Sequence, residues 1–158
     1  MNCIGIRVTP KIIYFSILNV ENKKYSISTT EKITVPVSMD VPDQLSFIRT
    51  TLFSVIKEYH VKYAGIRRME DNVPSKKLDP VIKRAYFEGV IQELISNCSI
   101  EKYFSGKLSK IGCLLKENIK DVKSCAEGSI NIFKIDDWET YTKEERESIL
   151  CALAASTL

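Results

Sequence analysis

Hydrophobic and polar positions along the first third of the chain fit strands, and after that the period changes. Cys3–Val8 and Ile12–Val20 are β-branched and aromatic runs separated by Thr9-Pro10-Lys11, a tight-turn sequence. Glu21-Asn22-Lys23-Lys24 reads as a second polar turn, and an extended segment from Tyr25 to Val37 follows it. Pro36 has no N–H to donate to a ladder, so this third strand is expected at a sheet edge. Three strands joined by short turns predict an antiparallel meander.

The spacing then becomes helical. Leu45, Ile48, Leu52, Val55, Ile56 and Tyr59 share one face, with Asp40 as the expected N-cap ahead of Pro42 and Asp43. His60 precedes Val61–Arg67, a fourth strand. Asp79-Pro80 is expected to open a second helix running to about Ile95, on the repeat Leu78, Ile82, Ala85, Tyr86, Gly89 and Glu93. Gly89 is unfavourable inside a helix, and close packing on a sheet would explain it. Ser99–Phe104 is a fifth strand candidate, and Leu108, Ile111 and Leu115 mark a third helix. Residues from Asn118 to Asp137 are the least regular, with a possible short strand at Ile130–Ile135. Thr142-Lys143-Glu144-Glu145 is a capping box for a last helix through Leu153. Strands and helices in this order predict an α/β (mixed α+β) fold, a five-stranded mixed sheet with helices on both faces.

Composition narrows the class. The 158 residues, 44% hydrophobic and 27% charged, predict one folded domain over residues 1–158. The net charge of +3 permits nucleic-acid binding without demanding it. Cys3, Cys98, Cys113, Cys125 and Cys151 are scattered without a CxxC pair, and His60 is the one histidine, so neither a structural zinc nor another metal cofactor is expected. Buried free thiols in a reducing cytoplasm are the expected state. No signal-peptide pattern and no run of about 18 apolar residues occurs, so a soluble cytoplasmic protein is expected. Phosphate-binding glycine loops are absent, and His60 reads as a surface or capping residue rather than a catalytic one.

The opening Cys3-Ile4-Gly5-Ile6, the segment Tyr63-Ala64-Gly65-Ile66-Arg67-Arg68-Met69 and the helix Ala85-Tyr86-Phe87-Glu88-Gly89-Val90-Ile91 occur in a telling order. So do Ser105-Gly106-Lys107-Leu108-Ser109-Lys110 and Ala152-Leu153-Ala154-Ala155. Together they resemble the RuvC-like branch of the RNase H-like superfamily, and more closely a group of small RuvC-like proteins without an assigned activity. The resemblance covers nearly the whole chain. It implies an RNase H-like fold and, in active members, phosphodiester hydrolysis by two divalent metals held on carboxylates.

The places of those carboxylates carry Arg7 and Arg67 here, and on the last helix the matching places fall near Ser148 and Cys151. Arginine keeps its charge inside a protein and repels a metal pair. The resemblance therefore implies a catalytically degenerate, Holliday-junction-resolvase-like protein with no catalytic residue and no metal. A site relocated to Glu70, Asp71, Glu144, Glu145 or Glu147 is the competing reading, but Glu144 and Glu145 suit a first helical turn and Glu147 is expected to face solvent.

The leading expectation is that Arg7, Arg67, Arg68, Lys107 and Lys110 form a patch for DNA, RNA or a nucleic-acid-processing partner. Against it stands plain pairing of Arg7 and Arg67 with Glu70, Asp71 or Glu145. A second expectation is a scaffold subunit, homodimeric or bound to another protein, using a surface around Phe47, Phe53 and Phe87, although ordinary core is the default for each. Lys76, Lys77, Lys83 and Arg84 bracket the second helix and read either as a phosphate-contacting stripe or as a solvated face.

Overall fold

A computed structural model describes residues 1–21, 24–70 and 78–158. Asn22 and Lys23 of the polar turn, and Asp71, Lys76 and Lys77, lie outside the described residues. The elements run β1 (Asn2–Val8), β2 (Ile12–Glu21), β3 (Lys24–Thr34), α1 (Val41–Glu58), β4 (Val61–Arg67) and α2 (Leu78–Asn97). They continue β5 (Lys102–Gly106), α3 (Leu108–Leu115), α4 (Ile119–Glu127) and α5 (Lys143–Ala155), with a 3₁₀ turn at Trp138–Thr140 before α5.

The sheet order is β3-β2-β1-β4-β5. The first three strands form the expected antiparallel meander, turned at Thr9 by its N–H and hydroxyl bonding to the Ile12 carbonyl. β4 and β5 run parallel to β1, each reached through a helix that crosses over the sheet. β3 lies on the edge, as Pro36 required, and ends at Thr34 before the proline.

Each face of the sheet carries its own core. On one side α1 and α2 bring Ile48, Leu52, Phe87, Ile91 and Leu94 against Ile4, Ile6, Phe15, Ala64 and Ile66. On the other, α5 lies against β1, β2 and β4, with α3, α4 and Trp138 packed beside it. The α5 backbone rests almost directly on the strands. A Cβ placed on Gly5 would stand 2.0 Å from the Ser148 carbonyl oxygen and 2.2 Å from the Ala152 nitrogen. On Gly65 it would stand 2.8 Å from the Cys151 oxygen. Small residues along α5, Ser148, Cys151, Ala152 and Ala155, complete this contact from the helix side. The capping box is formed, with the Thr142 hydroxyl accepting from the Glu145 N–H and the Glu145 carboxylate accepting from the Thr142 N–H.

Several expectations are corrected. The buried stripe of α2 is Phe87, Ile91, Leu94 and Ile95, not Leu78, Ile82 and Tyr86, which are exposed. Gly89 has open space around it, so sheet packing is not its reason. Phe87 is core, Phe47 packs partly against the core, and only Phe53 of the three stays exposed. The irregular region holds a helix, α4, capped by the Asn118 side chain and ended by Gly128 at φ 85°. Residues 130–135 form turns, because Asn131 bonds both backbone groups of Ile135 and closes a loop. β5 spans Lys102–Gly106, later than Ser99–Phe104. α2 starts at Leu78, with Asp79 in its first turn, and Asp40 occupies the α1 N-cap position without a side-chain capping bond.

All five cysteines are free: Cys3, Cys125 and Cys151 are buried, Cys98 is half-buried and Cys113 is exposed, contrary to uniform burial. Burial pushes the Cys3 thiol up to about 11 and the Cys151 thiol up to about 12.

Gly5→Ala is expected to destabilise the fold by about 3 kcal/mol through backbone displacement, whereas Gly89→Ala is expected to stabilise it by roughly 0.5–1 kcal/mol. Urea titration of the two variants reads both signs. The thiols add a pH dependence. The folded state holds the Cys3 and Cys151 protons above the unfolded value of 9.0, so the unfolded chain ionises first and stability falls as pH rises past it. A urea midpoint that does not fall between about pH 8 and about pH 10, with a Cys3→Ala/Cys151→Ala variant as control, would contradict this.

Candidate functional site

Arg7 and Arg67 are the last paired positions of β1 and β4, on the side that faces α5. They stand opposite one another in the β1–β4 register, two residues beyond Gly5 and Gly65, so strand alternation turns all four to the same side. The helix above them supplies Glu147. It lies four residues before Cys151, one turn along the stripe that packs on Gly65, and is 1% exposed. It does not face solvent. Its Oε2 accepts from Arg7 Nε, and its Oε1 lies 3.6 Å from Arg67 Nη2. One buried carboxylate therefore bridges both guanidiniums. Ser148 and Cys151 sit deeper, against Gly5 and Gly65, and Ser148 bonds the Ser16 hydroxyl at 2.6 Å.

Further charges complete the cluster. Arg67 Nη2 lies 2.9 Å from Glu70 Oε1, and its Nη1 donates to the Arg68 carbonyl. Arg7 Nη1 donates to the Val8 carbonyl at 2.6 Å. Arg84 reaches in from α2 and pairs with Glu88 at 2.9 Å, while the same Glu88 oxygen accepts from the Met69 N–H at 3.2 Å. Burial and then the charge of Arg7, with Arg67 adding to it, push Arg84 down to about 10. Tyr14, opposite Arg7 on β2, is raised by burial first and then by Glu144 and Glu145. Three arginines thus meet three glutamates, Glu70, Glu88 and Glu147, and the formal charges cancel. Two buried donors, Arg67 Nε and Arg84 Nη2, have no hydrogen-bond partner among the described residues.

The predicted patch divides into two groups. Arg7 and Arg67 come together as expected, but Arg67 is buried and Arg7 half-buried, and their partners are Glu147 and Glu70 rather than Glu145, which closes the capping box. Arg68, Lys107 and Lys110 gather around the ends of β4 and β5: Arg68 N–H donates to the Gly106 carbonyl, and Lys110 packs over Gly106. Arg68 and Lys110 are exposed and Lys107 is half-buried. Lys83 and Arg84 do not form a free stripe, since the Lys83 ammonium lies 5.7 Å from the Phe87 ring centroid and Arg84 is held by Glu88. His60 is exposed at φ 48° in the turn between α1 and β4. Glu88 and Arg84 were not singled out from the sequence as a pair, although their i,i+4 spacing on α2 is a legible signal.

The RNase H-like fold implies a metal pair at these strand ends, and the residues present do not fit one. The donors converging there are guanidiniums, and the nearest carboxylates are already taken up by them. Among the described residues no three His, Cys, Asp or Glu side chains are grouped to hold a metal ion, and no helix is long and apolar enough to cross a membrane.

No family model and no curated protein matches the chain. Solved structures do. The Thermus thermophilus RuvC in complex with Holliday junction substrate superposes with a TM-score of 0.73 at 11% identity, covering 99% of this chain and 94% of that one. The yeast mitochondrial Holliday junction resolvase matches with a TM-score of 0.60 at 14% identity over 98% of this chain and 78% of its own. The fowlpox virus resolvase, in complex with substrate Holliday junction DNA, matches with a TM-score of 0.52 at 14% identity over 98% and 95%. The chain has the RNase H-like fold in its RuvC form.

Glu147→Gln is expected to destabilise the protein by about 3–5 kcal/mol, because it leaves the buried Arg67 and half-buried Arg7 without their shared counter-charge. In a double-mutant cycle Arg7→Met should recover part of that loss. A Glu147→Gln variant within about 1 kcal/mol of the parent in urea titration would show that water already reaches the cluster.

Proposed function

We propose that the chain is a catalytically degenerate RuvC-like protein that binds nucleic acid through the face formed by the C-terminal ends of β1 and β4. The observation that carries this is the exposed basic rim at those strand ends, beside Arg7 and Arg67, which stand in register on them. The rim beside them is basic: Arg68, Lys107 and Lys110 surround the β4 and β5 ends. In this reading the rim meets the phosphate backbone, while Arg7 and Arg67 form the floor and reach a phosphate only where a carboxylate gives way. Holliday junction DNA accompanies two of the similar structures, which supports DNA, branched DNA above all, as the first ligand to test. The whole of residues 1–158 acts as one domain, no metal takes part, and five free thiols suit a reducing cytoplasm.

A second reading is a scaffold subunit. Val37, Met39, Val41, Ile82 and Tyr86 are exposed around a groove of about 410 Å³ beside α2, and apolar surface of that kind fits a protein partner.

Binding to labelled single-stranded, duplex and four-way DNA and to RNA, titrated with salt, is expected to weaken steeply as salt rises. Arg68→Glu/Lys110→Glu should reduce affinity at least about ten-fold and flatten the log–log salt slope by about 2. Absence of binding at low salt would favour the scaffold. Cleavage in Mg²⁺ or Mn²⁺ would overturn the degenerate reading.

A further inference from the structure

Arg67 uses only half of its binding edge. In a planar guanidinium Nε and Nη2 lie on the same side and form a fork matched to two oxygens of one carboxylate or phosphate. Here Nη2 is engaged by Glu70 at 2.9 Å, with Glu147 at 3.6 Å, but Nε is buried and has no partner among the described residues. The residue is 4% exposed, so bulk water does not satisfy that donor. An unpaired buried donor is costly, which makes the open half of the fork a standing demand for an oxygen.

An internal anion holds the Nη2 half of this edge. Glu70 Oε1, the oxygen on Arg67, lies also 3.3 Å from the Leu108 backbone N–H. Leu108 is the first residue of α3, and its N–H, free of any intrahelical partner, lies at the positive end of the helix dipole. One carboxylate oxygen thus sits between a guanidinium and a helix N-terminus, the donor set that suits a phosphate. The Glu70 side chain is half exposed, whereas the arginine beneath it is buried. Lys107 and Lys110 flank the same helix start, and Arg84, with its own unpartnered Nη2, lies close enough to Arg67 for their charges to act on one another.

We propose that this is a phosphate-binding site, formed by the Arg67 Nε–Nη2 edge and the Leu108 N–H, with Glu70 as a displaceable cover that mimics the ligand. A phosphate entering it exchanges one anion for another on Arg67, so the electrostatic balance of the cluster survives. It gains the second fork bond that the single glutamate oxygen leaves unmade. No bond is broken and no proton need move. The ligand is a phosphate group, either of a nucleic-acid backbone or of free phosphate. Its source rests on the binding reading above; the site itself does not.

The test is NMR of uniformly ¹⁵N-labelled protein, following the Leu108 amide and the Arg67 Nε–H signal. Inorganic phosphate is titrated at constant ionic strength against chloride, and then an oligonucleotide without terminal phosphates. Both signals should move and saturate with phosphate, and Glu70→Ala, at a half-exposed side chain, should tighten binding about ten-fold. Arg67→Lys keeps the charge but removes the fork and should abolish saturation. If that variant does not fold, the comparison of parent with Glu70→Ala decides alone. Failure of phosphate and oligonucleotide alike to move the two signals, in both the parent and Glu70→Ala, overturns the site. Oligonucleotide binding that depends on Arg68 and Lys110 but leaves Leu108 and Arg67 unmoved in both proteins also overturns it, while sparing the nucleic-acid reading. Movement with inorganic phosphate alone upholds the site and removes the nucleic-acid source.

Discussion

The close approach of α5 to the centre of the sheet is the constraint on which the site depends. Two glycines, one on β1 and one on β4, remove the side chains that would hold the helix away. The helix answers with serine, cysteine and alanine, and its backbone comes within van der Waals reach of the strands. At that separation the next turn of the helix has no room to send its inward residue to water. Glu147 is therefore delivered onto Arg7 and Arg67, and its charge is matched because it is buried.

A buried carboxylate between two arginines is costly to assemble and more costly to break. Its desolvation is offset by several hydrogen bonds rather than by Coulomb attraction alone, since Arg7 and Arg67 also bond backbone carbonyls that end their own strands. The cluster ties together β1, β4, α5 and, through Arg84 and Glu88, α2 and the segment that leaves β4. Where the RuvC-like resemblance implies metal-binding carboxylates, this chain holds a neutral set of fixed charges.

On α2 two apolar stripes compete: Leu78, Ile82, Tyr86 and Phe87, Ile91, Leu94 both follow helical spacing. Spacing finds a helix but does not choose between faces, and the sheet chose the stripe with the larger contiguous apolar surface. α4 does carry a local signal, with Ile119, Val122, Cys125 and Ala126 at helical spacing between the N-cap Asn118 and Gly128. It is also held from outside, with Arg146 donating to the Ala126 and Glu127 carbonyls and Trp138 to the Cys125 carbonyl. Such support comes from residues distant in the chain and cannot be read from the local pattern.

The sequence by itself determined the meander, the order of strands and helices, the last capping box and the presence of arginine at the ends of β1 and β4. These are local properties, written in alternation, turn chemistry and single residue types. It also carried the small residues that bring α5 down, and so the RNase H-like arrangement was legible in order and spacing. Tertiary structure alone decided which carboxylates meet those arginines. Glu147, Glu70 and Glu145 are all acidic residues near element ends, and only packing separates the one that is buried, the one that covers and the one that caps. Charge pairing depends on distance and burial across elements far apart in the chain, and neither is recorded in a one-dimensional pattern.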